Sequence, residues 1–183
     1  YTSQYTLSLH DALPISGLTD AGRELVRACD ERGIVVDCAH LNAAGVEDVA
    51  ACSSDPLVVS HAGAHAVCPA SRNLTDEQLE LVGRSDGVVG VTFASGFLRP
   101  DGDREADASI ETLVDHVVHV ADVAGPESVA LGSDFDGASI PEEVGDVAGL
   151  PAVLDALRER FTERETRAIA AGNWRRVLRE TWT

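Results

Sequence analysis

The sequence contains no lysine and no methionine, so its 14 basic residues are all arginine. Because 31 Asp and Glu residues outnumber them, the formal net charge is −17. A surface this acidic repels nucleic acid phosphates and anionic lipid headgroups, so neither is an expected partner. Without a methionine, Tyr1 is not a natural translation start, and we expect the true N-terminus and any targeting signal to lie upstream.

Long hydrophobic runs are also missing, since none approaches the roughly 20 residues that cross a bilayer. No membrane segment is therefore expected. The four cysteines form no CxxC pair and lie mostly in apolar stretches, which predicts reduced thiols and a cytoplasmic location. These cysteines are Cys29, Cys38, Cys52 and Cys68.

Residues 1–16 share no periodicity with the sequence that follows. This stretch, YTSQYTLSLHDALPIS, resembles a translated sequencing-adapter leader. We therefore treat residues 1–16 as a non-native leader and residues 17–183 as one globular domain.

From Gly17 onward, short β-branched runs alternate with helical patterns. Strands are predicted at 34–38, 57–60, 88–93 and 128–133. Two capping boxes mark helix starts, at Thr75 with Gln78 and at Thr162 with Glu165, and the second helix is expected to end near Gly172. Such alternation predicts an α/β fold whose parallel strands are joined by helical crossovers.

Reactive side chains follow three of the predicted strands at their C-terminal ends. His40 follows the first strand, His61 ends the second, and Asp134 follows the fourth. Because the C-terminal ends of parallel strands meet at one edge, these residues are expected to converge. Two imidazoles and a carboxylate indicate a metal hydrolase, in which histidine binds zinc and Asp moves a proton.

Other polar residues allow simpler interpretations. A single strand-end histidine is often only a hydrogen-bonding residue. His65 lacks a surrounding HExxH motif, and His116 and His119 share a helix face with no third ligand, so we expect structural roles for them. Arg72 and Asn73 precede a capping box, where Arg72 forms either a helix-entry salt bridge or a bidentate carboxylate contact.

Several segments together resemble the membrane (renal-type) dipeptidases, peptidase family M19. The likeness runs from about Gly17 to Trp182 and rests on IVVDCAHLN, PLVVSHAGAHAVCPASRNLTDEQL, VALGSDFDG and AGNWRRVL. It implies a β/α barrel that holds two zinc ions and hydrolyses dipeptides.

The resemblance also implies a role for each matching residue. By position, His40 and His61 would bind the same zinc ion. Arg72 would bind the terminal carboxylate of the substrate, with Asn73 next to it in the same substrate-binding motif. Asp134 would be the catalytic residue that handles the proton during peptide cleavage.

The sequence also departs from the family pattern. The family's H-x-D motif and metal-bridging Glu belong to upstream strands and do not occur here. Four predicted strands, against eight in a closed barrel of about 250 residues, suggest a partial (β/α)8 TIM-type barrel, approximately strands 5–8. The expected partner is the missing N-terminal half-barrel. Alone, the chain should bind zinc weakly, be inactive, and aggregate or form a homodimer.

Two other functions fit the same pattern. One is a different metal-dependent barrel hydrolase, such as an amidohydrolase or a TatD-like nuclease, although the acidic surface argues against a nucleic acid substrate. The other is a non-catalytic barrel whose strand ends bind a small ligand. Metal analysis of the complete protein would separate these functions, since a small-ligand binder need hold no zinc.

Overall fold

The structure is a computed structural model that describes residues 16–101, 103 and 106–182. All of the predicted leader except Ser16 lies outside the described residues. The strands are β1 Val58–Ala62, β2 Val88–Val91 and β3 Val129–Leu131. The helices are α1 Asp20–Asp30, α2 Ala43–Cys52, α3 Asp76–Arg84, α4 Ile110–Ala124, α5 Leu150–Arg158, α6 Glu163–Arg167 and α7 Asn173–Thr181. Shorter helical turns lie at Ser95–Phe97, Pro126–Ser128, Val147–Gly149 and Ala168–Gly172.

The three strands form a parallel sheet in the order β1-β2-β3. Val58 pairs with Val88, and Val89 pairs with Val129. Every residue of β2 is buried, which explains its continuous apolar sequence, because helices and loops cover both faces of such a sheet. The α/β fold and the last three predicted strands are confirmed.

The first predicted strand, at 34–38, is the exception. Only Asp37 pairs with β1, as an isolated parallel bridge to Val58, and the Cys38 amide donates to the Val58 carbonyl at 2.7 Å. Ile34 is 50% exposed. The prediction of a full strand is therefore wrong, because Asp37 alone pairs with β1 and the partly exposed segment lacks burial on both faces.

Helices α3 and α4 supply much of the core. Leu113, Val117 and Val120 recur on one face of α4 and are fully buried, as are Leu79 and Val82 of α3. Burying a side chain of this size stabilises the fold by about 1.5–3 kcal/mol before entropy is subtracted. Among the described residues, no helix is both long and apolar enough to cross a membrane.

Helix starts follow the predicted capping chemistry. The Thr75–Gln78 and Thr162–Glu165 capping boxes are both confirmed. The expected helix end near Gly172 is wrong, since a π-helical turn carries the chain from α6 into α7. The side chains of Asn173 and Trp174 both bond to carbonyls of β3, and the extra residue of the π turn gives two successive side chains this reach.

Candidate active site

A bulge at the end of β1 orients two neighbouring side chains toward the same place. The pairing of β1 with β2 shifts register between Val59 and Ala62. Successive residues of a regular strand point to opposite faces, yet the Ser60 hydroxyl lies 2.7 Å from Nδ1 of His61. An extra residue in the strand re-aims its side chains in this way.

Two glycines make room for the bulge. A Cβ atom on Gly90 or on Gly132 would overlap the carbonyl oxygen of Ser60. Gly90 lies in β2, and Gly132 directly follows β3. The Ser60 carbonyl therefore needs glycine at both Gly90 and Gly132.

Asp37 and Ser60 set the tautomer of the His61 ring. The Ser60 amide donates to Oδ1 of Asp37 at 2.9 Å, and the Ser60 hydroxyl donates to Oδ2. Because a carboxylate only accepts, the hydroxyl proton points to Asp37, and Nδ1–H of His61 donates to the hydroxyl oxygen. Nε2 of His61 is left with a free lone pair, as a metal ligand requires.

His40 faces this lone pair. Its Nε2 atom lies 3.0 Å from Nε2 of His61, with the ring centroids 4.9 Å apart. The His40 backbone has a φ of 71°, in the left-handed region that non-glycine residues seldom adopt. Such strain is typical of functional sites, where the surrounding structure holds it in place.

The two imidazoles fit a shared metal ion. Two zinc–nitrogen bonds of about 2.0–2.1 Å at a tetrahedral angle place their nitrogens about 3.3 Å apart, close to the separation in this structure. Burial, together with the nearby Arg72 and His61, lowers the pKa of His40 and favours the neutral ring that binds zinc. Within the described ranges, no three His, Cys, Asp or Glu side chains are placed to hold a metal ion.

Arg72 lies beside the histidine pair. Its Nη2 atom is 3.3 Å from Nε2 of His40, and its guanidinium carbon lies 6.0 Å from the centre of the Phe97 ring. Burial lowers the pKa of Arg72, and the charges of Asp134 and Asp37 oppose that shift. A cation on an aromatic face next to two imidazoles is well placed to bind a carboxylate.

Asp134 lies at the same end of the sheet. It is half-buried, has a φ of 57°, and is close enough that its charge opposes the lowering of the pKa of both His40 and Arg72. The Gly137 amide donates to the Asp134 carbonyl at 3.1 Å. A Cβ on Gly137 would overlap the Asp134 carboxylate, so the second glycine of the GSDFDG motif makes room for it.

The side chain of Asn73, the next predicted site residue, is buried. It is only 5% exposed. Its Oδ1 atom accepts from the Gly63 amide at 2.9 Å, and its Nδ2 atom donates to the carbonyls of Cys68 and Phe97. These three hydrogen bonds give Asn73 a structural role in the loop, and the substrate-binding assignment of Asn73 stays a prediction.

His116 is fully buried, unlike His119 on the same helix. Its Nδ1 atom accepts from the Ala64 amide at 2.8 Å, and Nε2 donates to the Leu98 carbonyl at 2.9 Å. These partners lie 52 and 18 positions away, so no local sequence signal indicates them. By contrast, His119 on the same helix makes an exposed contact with Asp76.

Comparison with known proteins gives consistent results. The model of the membrane dipeptidase family, peptidase family M19, matches residues 3–183. A Klebsiella pneumoniae protein described as an uncharacterized protein in the pqqA 5′ region is 42% identical over 167 residues, which cover 91% of this chain. That protein carries no stated activity.

Two solved structures are each 45% identical, with a TM-score of 0.87 over 93% of this chain. One is the dipeptidase AC, a metallopeptidase of family M19. The other is a metallopeptidase from Rhodobacter sphaeroides liganded with a phosphinate mimic of the dipeptide L-Ala-D-Ala. This chain spans 62% of the length of the Klebsiella relative, and 52% and 50% of the two solved chains.

Proposed function

Because this chain belongs to the membrane dipeptidase family, peptidase family M19, we propose that it is the C-terminal half of a zinc-dependent dipeptidase. The observation that carries this proposal is the 3.0 Å approach of the Nε2 atoms of His40 and His61, with Arg72 beside them. The pair supplies two nitrogen ligands for one zinc ion, and Arg72 supplies a cation for the substrate.

The fold supports the half-barrel part of the proposal. The segment around Asp37 and strands β1, β2 and β3 lie side by side in the order of the chain, as successive units of a barrel do. Because the chain spans about half of its solved relatives, we assign it to approximately strands 5–8 of a (β/α)8 barrel. The remaining strands and metal ligands then belong to an N-terminal half.

The expected substrates are dipeptides with a free C-terminal carboxylate. Arg72 can form two parallel hydrogen bonds with such a group, because a guanidinium matches a carboxylate in shape and charge. The guanidinium lies over the Phe97 ring, 6.0 Å from its centre, in a cation–π arrangement. The dipeptide mimic bound to the Rhodobacter sphaeroides relative supports the same substrate class.

Each residue then has a defined task. When bound, zinc polarises the peptide carbonyl and makes water a stronger nucleophile near neutral pH. Arg72 holds the substrate carboxylate and so fixes which peptide bond faces the histidine pair. Asp134 takes up, at a carboxylate oxygen, the proton lost by the attacking water and gives it to the leaving amine.

The test is hydrolysis of L-Ala-D-Ala by the complete peptidase that contains this chain. We expect activity that disappears when a chelator removes the metal and returns when zinc is added. His40→Ala and His61→Ala should each lower both zinc content and turnover, and His65→Ala, which changes an exposed histidine, serves as the control. Activity that survives complete metal removal would contradict the proposal.

A further inference from the structure

The loop after β1 and the turn at Ser95–Phe97 are joined by two buried polar side chains, Asn73 and His116. Asn73 bonds to the Gly63 amide and to the Phe97 carbonyl. His116 bonds to the Ala64 amide and to the Leu98 carbonyl. The two side chains therefore bind consecutive amides of the loop, at 63 and 64, and consecutive carbonyls at 97 and 98.

Both side chains also pack against Gly63. A Cβ on Gly63 would lie 2.7 Å from Oδ1 of Asn73 and 2.8 Å from Nδ1 of His116. The loop therefore contacts both side chains at Gly63. We call Gly63, Asn73 and His116 the loop clamp.

The loop clamp adjoins Arg72 on two sides. Arg72 directly precedes Asn73, and the Arg72 guanidinium lies over the ring of Phe97, whose carbonyl Asn73 binds. The side-chain amide of Asn73 therefore connects the backbone next to Arg72 with the backbone of Phe97, whose ring lies under the Arg72 guanidinium.

We propose that Asn73 and His116 are positioning residues that hold Arg72 beside His40, and so set the affinity of the site for the carboxylate of its substrate. This role rests on the proposed dipeptidase function, because it assumes that Arg72 binds that carboxylate. Neither residue touches the substrate.

The chemistry of His116 suits this role. The Ala64 amide can only donate and the Leu98 carbonyl can only accept, so the ring must be neutral with its proton on Nε2. Burial lowers the pKa of His116 and favours this neutral form. Both of its polar atoms are satisfied, which makes the contact rigid and costly to break.

Three variants remove separate hydrogen bonds of the loop clamp. His116→Asn keeps an acceptor near the Ala64 amide and loses the bond to Leu98, whereas His116→Gln reaches Leu98 and loses the bond to Ala64. Asn73→Asp keeps the acceptor for Gly63 and loses both donated bonds. His119→Gln is the matched control, because it changes a partly exposed histidine on the same helix, outside the loop clamp.

Hydrogen exchange followed by mass spectrometry tests the loop clamp on this chain without an activity assay. We expect His116→Gln to speed exchange in peptides covering 61–75 by about tenfold, the effect of losing one buried hydrogen bond, while peptides from β2 and β3 keep their wild-type rates. His119→Gln should change neither. Unchanged exchange at 61–75, or an equal increase everywhere, would overturn the positioning role.

Kinetics of the complete peptidase then test the link to Arg72. We expect each loop-clamp variant to raise KM for L-Ala-D-Ala by about tenfold with kcat near the wild-type value. In an Arg72→Ala background the same variants should have no further effect on KM. Full additivity with Arg72→Ala would overturn the positioning role alone, whereas a wild-type enzyme that hydrolyses no dipeptide would overturn the proposed function as well.

Discussion

Nε2 of His40 and Nε2 of His61 lie 3.0 Å apart, although 21 positions separate the two residues in the sequence. The approach depends on two local departures from regular backbone. One is the left-handed conformation of His40, and the other is the bulge that turns Ser60 and His61 to the same side. A regular strand end at either position would direct the imidazole elsewhere.

The first prediction concerns Asp134. Replacing it with Asn in the complete peptidase removes the proton acceptor and keeps the shape of the side chain. We expect kcat to fall by about 10²- to 10⁴-fold, the usual contribution of general acid–base catalysis, with zinc content unchanged. Steady-state kinetics combined with metal analysis measures both. Loss of zinc with turnover retained would reverse the assignment.

A second prediction concerns the glycines around the bulge. Gly90→Ala and Gly132→Ala each place a methyl group against the Ser60 carbonyl, so we expect each to lower the free energy of unfolding by about 1–3 kcal/mol. Gly172→Ala is the matched control. Its Cβ meets only ordinary contacts, and its φ is −60°, so alanine there should stabilise the helix by up to about 1 kcal/mol.

Urea denaturation followed by circular dichroism measures these three changes. If Gly90→Ala and Gly132→Ala were as stable as the unaltered chain, Ser60 would have to lie elsewhere, and the bulge would lose its role in aiming His61.

The third prediction is weak zinc binding by the 183-residue chain. Two histidine nitrogens leave half of a tetrahedral coordination sphere to water, so we expect a dissociation constant in the micromolar range or weaker. Calorimetric titration measures it, with the complete peptidase as the comparison. Nanomolar affinity of the isolated chain would show that other residues of the chain complete the site.

The fourth prediction is self-association. Two large apolar side chains are exposed, Ile34 at 50% and Trp182 at 65%. They belong to neighbouring segments, because Gly33 packs against the Thr181 carbonyl. Among the described residues, no strand pairs with the outer edge of β3 or of the segment at 34–38, so both edges are open for pairing. We expect dimers or larger species in light scattering at micromolar concentration. A stable monomer would contradict the half-barrel assignment.

Much of the fold follows from sequence because its signals are local. Thr75 with Gln78, and Thr162 with Glu165, mark helix starts through contacts that span three positions. The apolar runs of β1, β2 and β3 reflect burial on both faces. The segment at 34–38 has a similar apolar composition, yet it forms a single bridge, and Ile34 is 50% exposed, so burial on both faces is missing there.

The site is only partly predictable for the same physical reason. The order of polar residues at strand ends indicates His40, His61 and Asp134 without any coordinates. The roles of Asn73 and His116 depend on hydrogen bonds to backbone groups of distant segments, and side-chain type alone does not reveal them. Likewise, the tautomer of His61 follows from Ser60 and Asp37, whose contact requires the bulge.

The most direct test of a shared metal ion is nuclear magnetic resonance of the imidazole nitrogens during zinc titration of this chain. We predict that the Nε2 signals of His40 and His61 shift together, while those of His65, His116 and His119 stay in place. His61→Ala should also abolish the His40 shift. Zinc that moves only one of the two signals, or neither, would contradict the account.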